Sequence, residues 1–167
     1  MNMIYKIVKR SGLLSRERRL EFYPPFRAMR IRVLRMENDG RELVIRLPLN
    51  SFNRNPGGGM FGGAMASLAD PIAALMCANI FPGNAVWTRH MEIDFIHEGR
   101  TDLELRFSMD EDQENVISKT LESKGRATPV FEYGFYDERG RMCAKVINRV
   151  AIRPNGYKKG DGALGKG

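Results

Sequence analysis

From Asn55 to Thr88 the chain runs 34 residues with one formally charged side chain, Asp70. At the overall charged content of 28%, roughly nine or ten would be expected in such a stretch. A lone carboxylate among apolar residues has two uses. It is a base or nucleophile in a pocket, or it is a structural acceptor for nearby donors, because an isolated charge away from water is costly unless paired, hydrogen-bonded or neutralised. Burial is expected to raise its pKa, and hydrogen bonds to the charged form to lower it again. Eight and seven residues upstream stand Gly62 and Gly63. If they open a helix, their N–H groups lack intrahelical partners, lie at the positive end of the helix dipole, and can be approached closely. Such donors suit a developing oxyanion. Equally, the two glycines can serve only to let the helix pack tightly. Asn55, in Asn-Pro-Gly-Gly-Gly, offers an amide to water or to a carbonyl, or simply makes a turn. Thr88, eighteen residues past Asp70, adds a hydroxyl on a strand.

Other chemistries find no support. The two histidines, His90 and His97, are too few and too far apart for a His-rich metal site, and His97 reads as a turn residue. Cys77 and Cys143 form no Cys-x-x-Cys pair, which removes zinc ribbons and disulfide scaffolds. Cys77 falls within the apolar run, where a small inert thiol is expected, and Met60, Met65 and Met76 read as core or pocket lining. Gly57-Gly58-Gly59 does not continue into a Walker loop or a dinucleotide fingerprint, and no Ser-His-Asp elbow is present.

The elements that must position these residues follow from periodicity. Met60–Phe81 is apolar on every side of a helical wheel, so the sequence predicts a helix buried all round. A transmembrane span is the rival, but Asp70 and Pro71 sit at its centre, and a central Asp alone costs about 2.5–3.5 kcal/mol on insertion. A helix wrapped by a sheet is the better reading. Pro71 leaves the Ser67 carbonyl without its helical donor and is expected to kink the helix, tilting Asp70. Around this segment the period is two. Met29, Ile31 and Val33, then Leu43, Ile45, Leu47 and Leu49, flank the turn Asn38-Asp39-Gly40 as a hairpin. Further strands are expected at Met91/Ile93/Phe95, Leu103/Leu105/Phe107/Met109, Phe131/Tyr133/Phe135 and Met142–Ile152, the last two joined across the turn at 137–140. Asp112–Lys124 is expected to be a short helix with Asp112 as N-cap and Gly125 beyond its end.

Two strands, a glycine-led apolar helix and four more strands is the order of the hot-dog fold, an α+β architecture in which an antiparallel sheet of about six strands wraps a central helix. The segment Asn55 to Asp70, with Phe61-Gly62-Gly63 and Leu68-Ala69-Asp70, resembles the signature of the phenylacetate-pathway type of acyl-CoA thioesterases. That signature has His-Gly-Gly where this chain has Phe61-Gly62-Gly63, and the chain is most similar to a less characterised branch with Phe-Gly-Gly followed by Ala-Asp-Pro. The resemblance covers about residues 26–153. It implies hydrolysis of a thioester with Asp70 attacking directly or through water, the Gly62 N–H forming the oxyanion hole, and Asn55 and Thr88 positioning water or carbonyl. Phe61 and Gly63 would line the substrate site, and Arg54 and Arg89, which flank the uncharged segment, would meet coenzyme A phosphates or remain solvated surface residues. No metal or redox cofactor is implied. Each site would use two chains of a homodimer or dimer of dimers, with the strand at His90–Ile96 pairing with its copy. A non-catalytic acyl-CoA or fatty-acyl binding protein is the alternative motivated by Phe61, and hydration or dehydration of an acyl thioester ranks last.

Charge is unevenly spread. Residues 1–35 carry ten Lys/Arg and two Glu, a balance of +8, against +7 for the whole chain, so the remaining 132 residues stand at −1. A nucleic-acid-binding core is therefore not expected, whereas a basic surface near the N-terminus is. Residues 1–25 are expected to form a basic helical extension (a helix over 3–22, broken near Ser11-Gly12 and stopped by Tyr23-Pro24-Pro25), residues 26–153 the hot-dog domain, and 154–167 a disordered Gly/Lys tail. Contact of the extension with a membrane surface is the lesser alternative to packing on the domain. A reducing, cytoplasmic setting fits the cysteine usage and the lack of a visible secretory signal.

Overall fold

The computed structural model describes residues 15–157. The expected helix over 3–14 and most of the tail beyond Pro154 lie outside the described residues. Two six-residue helices come first: α1, Arg16–Glu21, and α2, Pro24–Met29. Strands β1 (Arg32–Glu37) and β2 (Glu42–Leu47) follow, then the long helix α3 (Gly62–Ile80). Strand β3 (Asn84–Phe95), β4 (Leu103–Ser108), helix α4 (Glu111–Lys124), β5 (Val130–Tyr136) and β6 (Met142–Pro154) complete the order. The six strands form one sheet in the order β1-β2-β4-β5-β6-β3, antiparallel at every pairing. The sheet curls round α3, whose Met65, Leu68, Ile72, Met76 and Cys77 meet Leu43, Ile45, Leu105, Phe135, Val146 and Val150 in one core. By length and composition α3 could cross a membrane, yet it is the core helix of this sheet.

The start of the sheet differs from the sequence expectation. Met29 does not begin β1. Pro24 and Pro25 end α1 but also start α2, where the fixed φ of proline at the first helical position is preorganised and its missing N–H costs nothing. Phe26 and Met29, three residues apart, turn down into the core, and the chain reverses at Arg30 before β1. The alternation over 29, 31 and 33 is thus divided among a helix, the link at Ile31 and a strand. The hairpin turn is a 3₁₀ segment, Asn38–Gly40, with φ positive at all three residues. Asn, Asp and Gly are the residue types that tolerate this. Gly40 has a second reason to be glycine, since a Cβ there would lie 2.7 Å from the Met76 sulfur. Helix α4 begins earlier than expected: its N-cap is Asp110, whose carboxylate accepts from the Gln113 N–H at 2.7 Å, and Asp112 lies inside the first turn. Gly125 closes the helix in the left-handed conformation.

The expectation that α3 is buried all round also needs correction. Ser67, Asp70, Ala78 and Asn79 are not buried in the single chain, so one stripe of the helix is uncovered. Hydropathy on every side of a helix demands cover on every side, but does not say whether the same chain supplies it.

Candidate functional site

The loop before α3 is fastened by two asparagines. Asn55 accepts from the Gly59 N–H through Oδ1 at 3.1 Å and donates from Nδ2 to the Met60 carbonyl at 3.3 Å, while its backbone N–H donates to the Gly59 carbonyl at 2.8 Å. Both ends of the amide are therefore occupied within the glycine-rich turn. Asn53, only 1% exposed, donates from Nδ2 to the carbonyls of Met29 and Pro48, and its backbone carbonyl accepts from the Phe61 N–H at 2.7 Å. These contacts deliver Phe61 to the N-cap of α3 and leave Gly62 and Gly63 as its first residues. Among the described residues neither glycine N–H has an acceptor, as expected for the first turn of a helix. Close approach is real at both. A Cβ on Gly62 would lie 3.0 Å from the Phe95 ring, and one on Gly63 would run into the Phe61 ring. The glycines thus admit aromatic rings and at the same time present free donors.

Two turns further along, Asp70 stands exposed on the uncovered stripe, so the burial expected from its apolar surroundings in sequence is absent in the single chain. Its backbone is held far more tightly than its carboxylate. The Asp70 carbonyl accepts from Thr88 Oγ1 at 2.5 Å and from Asn148 Nδ2 at 3.0 Å, and the neighbouring Ala69 carbonyl accepts from the Tyr133 hydroxyl at 2.7 Å. Asn148 Nδ2 also donates to the Tyr133 oxygen at 3.0 Å. Strands β3, β5 and β6 each send one side chain to the turn beside Pro71, where the helix lacks a backbone N–H. Burial pushes the Tyr133 hydroxyl well above the usual phenol range; the Asn148 hydrogen bond works against this and the charge of Asp70 adds to it. Tyr133 is consequently a neutral donor at ordinary pH rather than a proton-transfer group. Sequence reasoning misses both Asn148 and Tyr133. The available signal is an asparagine in the buried register of β6 and a tyrosine between two core phenylalanines of β5.

Two clefts open along the uncovered stripe. One, of about 250 Å³, lies beside Gly63 between Met29, Phe52, Phe61, Ala64 and Ser67. The other, of about 340 Å³, lies beside Asp70 between Pro71, Leu75, Val86, Trp87 and Thr88. Eight residues of helix separate Gly62 from Asp70, a rise of about 12 Å. Gly63 and Asp70 of one chain accordingly line different clefts. Arg54 and Arg89 line neither cleft. His90 pairs with Glu92 on the surface of β3, and His97 Nδ1 contacts the Met142 carbonyl after the strand. Cys77 is fully buried and burial pushes its thiol up to about 12, so it is inert.

An antiparallel sheet wrapped round one helix, with a glycine-led N-terminus and a mid-helix carboxylate, defines the class: this is a hot-dog fold. Solved structures agree. A protein of unknown function from Pseudomonas aeruginosa, described as a probable thioesterase, matches at 20% identity with a TM-score of 0.73, over 82% of this chain and 92% of the other. A putative thioesterase from Shewanella oneidensis matches at 17% identity and TM-score 0.65, over 80% and 91%. A thioesterase of Haemophilus influenzae matches at 14% and 0.59, over 77% and 81%. At these identities the likeness concerns the fold. Comparison with curated protein sequences finds no match. The chain belongs to the family described as "Domain of unknown function (DUF4442)", whose model matches residues 15–152.

Proposed function

We propose that the protein is an acyl-CoA thioesterase that works as a pair of chains. The observation that carries this reading is the uncovered stripe of α3, which presents unpartnered N–H groups at Gly62 and Gly63 and an exposed carboxylate at Asp70 about two turns away. A two-fold arrangement that laid the Asp70 cleft of one copy against the Gly63 cleft of the other would unite a base with an oxyanion hole. In such a site Asp70 takes a proton from water as the water oxygen bonds to the thioester carbon. The carbonyl oxygen gains negative charge and is held by the Gly62 N–H. Collapse breaks the C–S bond, and the departing thiolate receives the proton from Asp70, leaving a carboxylic acid and the thiol. Direct attack by Asp70, followed by hydrolysis of the resulting anhydride, uses the same groups. Thr88 contributes by holding the Asp70 carbonyl and Asn55 by holding the loop, while Phe61 and Gly63 line the acyl side.

The test is thiol release from short aliphatic, long aliphatic and aromatic acyl-CoA esters, wild type against Asp70→Asn. Turnover in the wild type that falls about a hundredfold or more in the variant is the expected result. Full activity in Asp70→Asn, or no turnover of any ester by folded protein, overturns the reading. The second reading, a non-catalytic acyl-CoA binding protein, is favoured by one observation: Phe61, half-exposed at the mouth of the Gly63 cleft, places an apolar ring where the resembling thioesterases carry histidine. It expects thermal stabilisation by acyl-CoA esters in both proteins and hydrolysis in neither.

A further inference from the structure

Helix α2 has two flanks. Ala28 and Met29 face the cleft beside Gly63, whereas Arg27 and Arg30 face a second cleft, of about 440 Å³, closed by Arg18 and Arg32. Among the described residues, four arginines line this cleft with a single carboxylate, Glu21, for a formal charge of +3. Both oxygens of Glu21 are already engaged. One of its oxygens accepts from the Val33 N–H at 3.1 Å, and the other is shared by Arg18 at 3.2 Å and Arg32 at 3.4 Å. The glutamate, whose side chain is only 10% exposed, thus braces two arginines rather than neutralising the cleft. Arg27 and Arg30 make no ion pair among the described residues; each guanidinium lies 5.8 Å from an aromatic ring, Phe22 and Phe52 respectively.

Arg30 supplies the connection and a second, independent observation. The Phe52 ring under its guanidinium is also a wall of the Gly63 cleft, so the charged and the apolar clefts adjoin at this residue pair. Arg30 also occupies the C-cap of α2 in the left-handed conformation, φ 58° and ψ 36°. Helices that end this way use glycine by preference, because a Cβ is disfavoured there. Here the chain bears that cost and keeps a guanidinium at the junction of two clefts, where glycine would be unstrained.

We propose that the arginine cleft binds the phosphate groups of coenzyme A, with the pantetheine arm passing Phe52 to reach Gly63. The assignment rests on the acyl-CoA reading above and adds the nucleotide subsite to it. Planar, forked guanidiniums that retain uncommitted donors are suited to phosphate oxygens, and several converging on one concave surface favour a polyanion over a single charge. It also relocates the phosphate contacts from Arg54 and Arg89, which line neither this cleft nor the one by Gly63.

The experiment measures direct binding of coenzyme A, dephospho-coenzyme A and pantetheine by calorimetry, and thermal unfolding, for wild type, Arg30→Gly, Arg18→Gln/Arg32→Gln and Arg54→Ala/Arg89→Ala. Coenzyme A is expected to bind the wild type more tightly than dephospho-coenzyme A, and both more tightly than pantetheine. Arg30→Gly is expected to weaken coenzyme A about tenfold while its melting temperature stays level or rises. A merely structural arginine would instead leave binding unchanged. Equal affinity for coenzyme A and pantetheine overturns the assignment, as does loss of binding only in the Arg54/Arg89 variant. Co-sedimentation with vesicles containing one-third phosphatidylglycerol covers the remaining phosphate source: vesicle binding that Arg30→Gly abolishes while coenzyme A affinity is untouched overturns it too. Coenzyme A binding without hydrolysis of any ester would leave this cleft standing and remove the thioesterase reading. Hydrolysis with the same preference for acyl-CoA over acyl-pantetheine in Arg30→Gly would do the reverse.

Discussion

Asp70 and Tyr133 show how differently two polar groups at one helix turn are treated. The Asp70 carboxylate is exposed, while the carbonyls at Ala69 and Asp70 are gripped by Tyr133, Asn148 and Thr88. Removing the Tyr133 hydroxyl takes one donor from the Ala69 carbonyl and one acceptor from Asn148 while the helical N–H remains, so Tyr133→Phe is expected to cost about 0.5–1.5 kcal/mol in denaturant unfolding. If the contact also fixes the direction of Asp70, kcat falls in Tyr133→Phe with little change in KM, and the pH profile keeps its shape. A second residue-scale prediction concerns Cys77. Burial pushes its folded-state pKa from 9.0 up to about 12, so the native protein holds the neutral thiol where the unfolded chain ionises. The unfolded state then binds fewer protons, and stability falls as pH rises above about 9 towards 12. Cys77→Ala should flatten that part of the stability curve, measured as melting temperature between pH values of about 8 and 11. The variant also loses buried volume, so the slope rather than the absolute stability carries the test.

At the scale of elements, α4 is tied to the β1–β2 hairpin by Arg41 and Glu114, joined through two guanidinium nitrogens, Nε at 2.5 Å and Nη2 at 2.7 Å. The Arg41 hydrogen bond holds the Glu114 carboxyl below its ordinary value, with burial opposing and the Arg41 charge assisting. A depressed carboxylate stabilises the fold above its unfolded pKa of 4.5 and loses that contribution as pH falls below it. The pair is partly solvated, at 29% and 22% side-chain exposure, so Glu114→Gln is expected to cost only about 0.5–1 kcal/mol at neutral pH, and less in acid well below that pKa, in urea unfolding. The elements also show what could be read in advance. Alternation at Leu43, Ile45 and Leu47 or Phe131, Tyr133 and Phe135 names a buried strand face, because the pleat has period two. The unbroken hydropathy of Met60–Phe81 names the core helix. Alternation fails at Met29, where Phe26 and Met29 satisfy helical spacing as well as Met29 and Ile31 satisfy strand spacing, and the paired prolines decide between them. Of the site, Asp70 and the glycine pair are legible as chemical oddities in their surroundings. Asn148 is not, because a polar residue in a buried register looks like an ordinary strand position until its partner, a helix carbonyl 78 residues away, is known.

For the whole molecule, the exposed apolar side chains are the deciding observation. Phe61 and Phe95, each 51% exposed, Trp87 at 41% and Ile96 at 44% lie at the helix N-terminus and along or just after β3. That strand is twelve residues long and stands at one end of the sheet order, so its outer backbone groups have no strand partner among the described residues. Long, apolar strand edges invite a second strand. Pairing of β3 with its copy would cover these side chains and the open stripe of α3 together, which the described residues of one 19.0 kDa chain leave to solvent. Light scattering is expected to report at least twice that mass, and Trp87→Glu/Phe95→Glu to shift it to the monomer with loss of turnover. Subunit mixing tests the composite site itself. Gly62→Pro removes one N–H at a helical position where proline is otherwise welcome, though the Phe95 ring must yield by a few tenths of an ångström. Each of Asp70→Asn and Gly62→Pro alone should be nearly inactive. When equal amounts are exchanged, half the dimers are mixed, and each mixed dimer holds one site with an intact Gly62 from one chain and an intact Asp70 from the other. About a quarter of wild-type activity should return if sites are shared. If Gly62 and Asp70 served one chain's own site, mixing would restore nothing, because every site would still carry one of the two lesions.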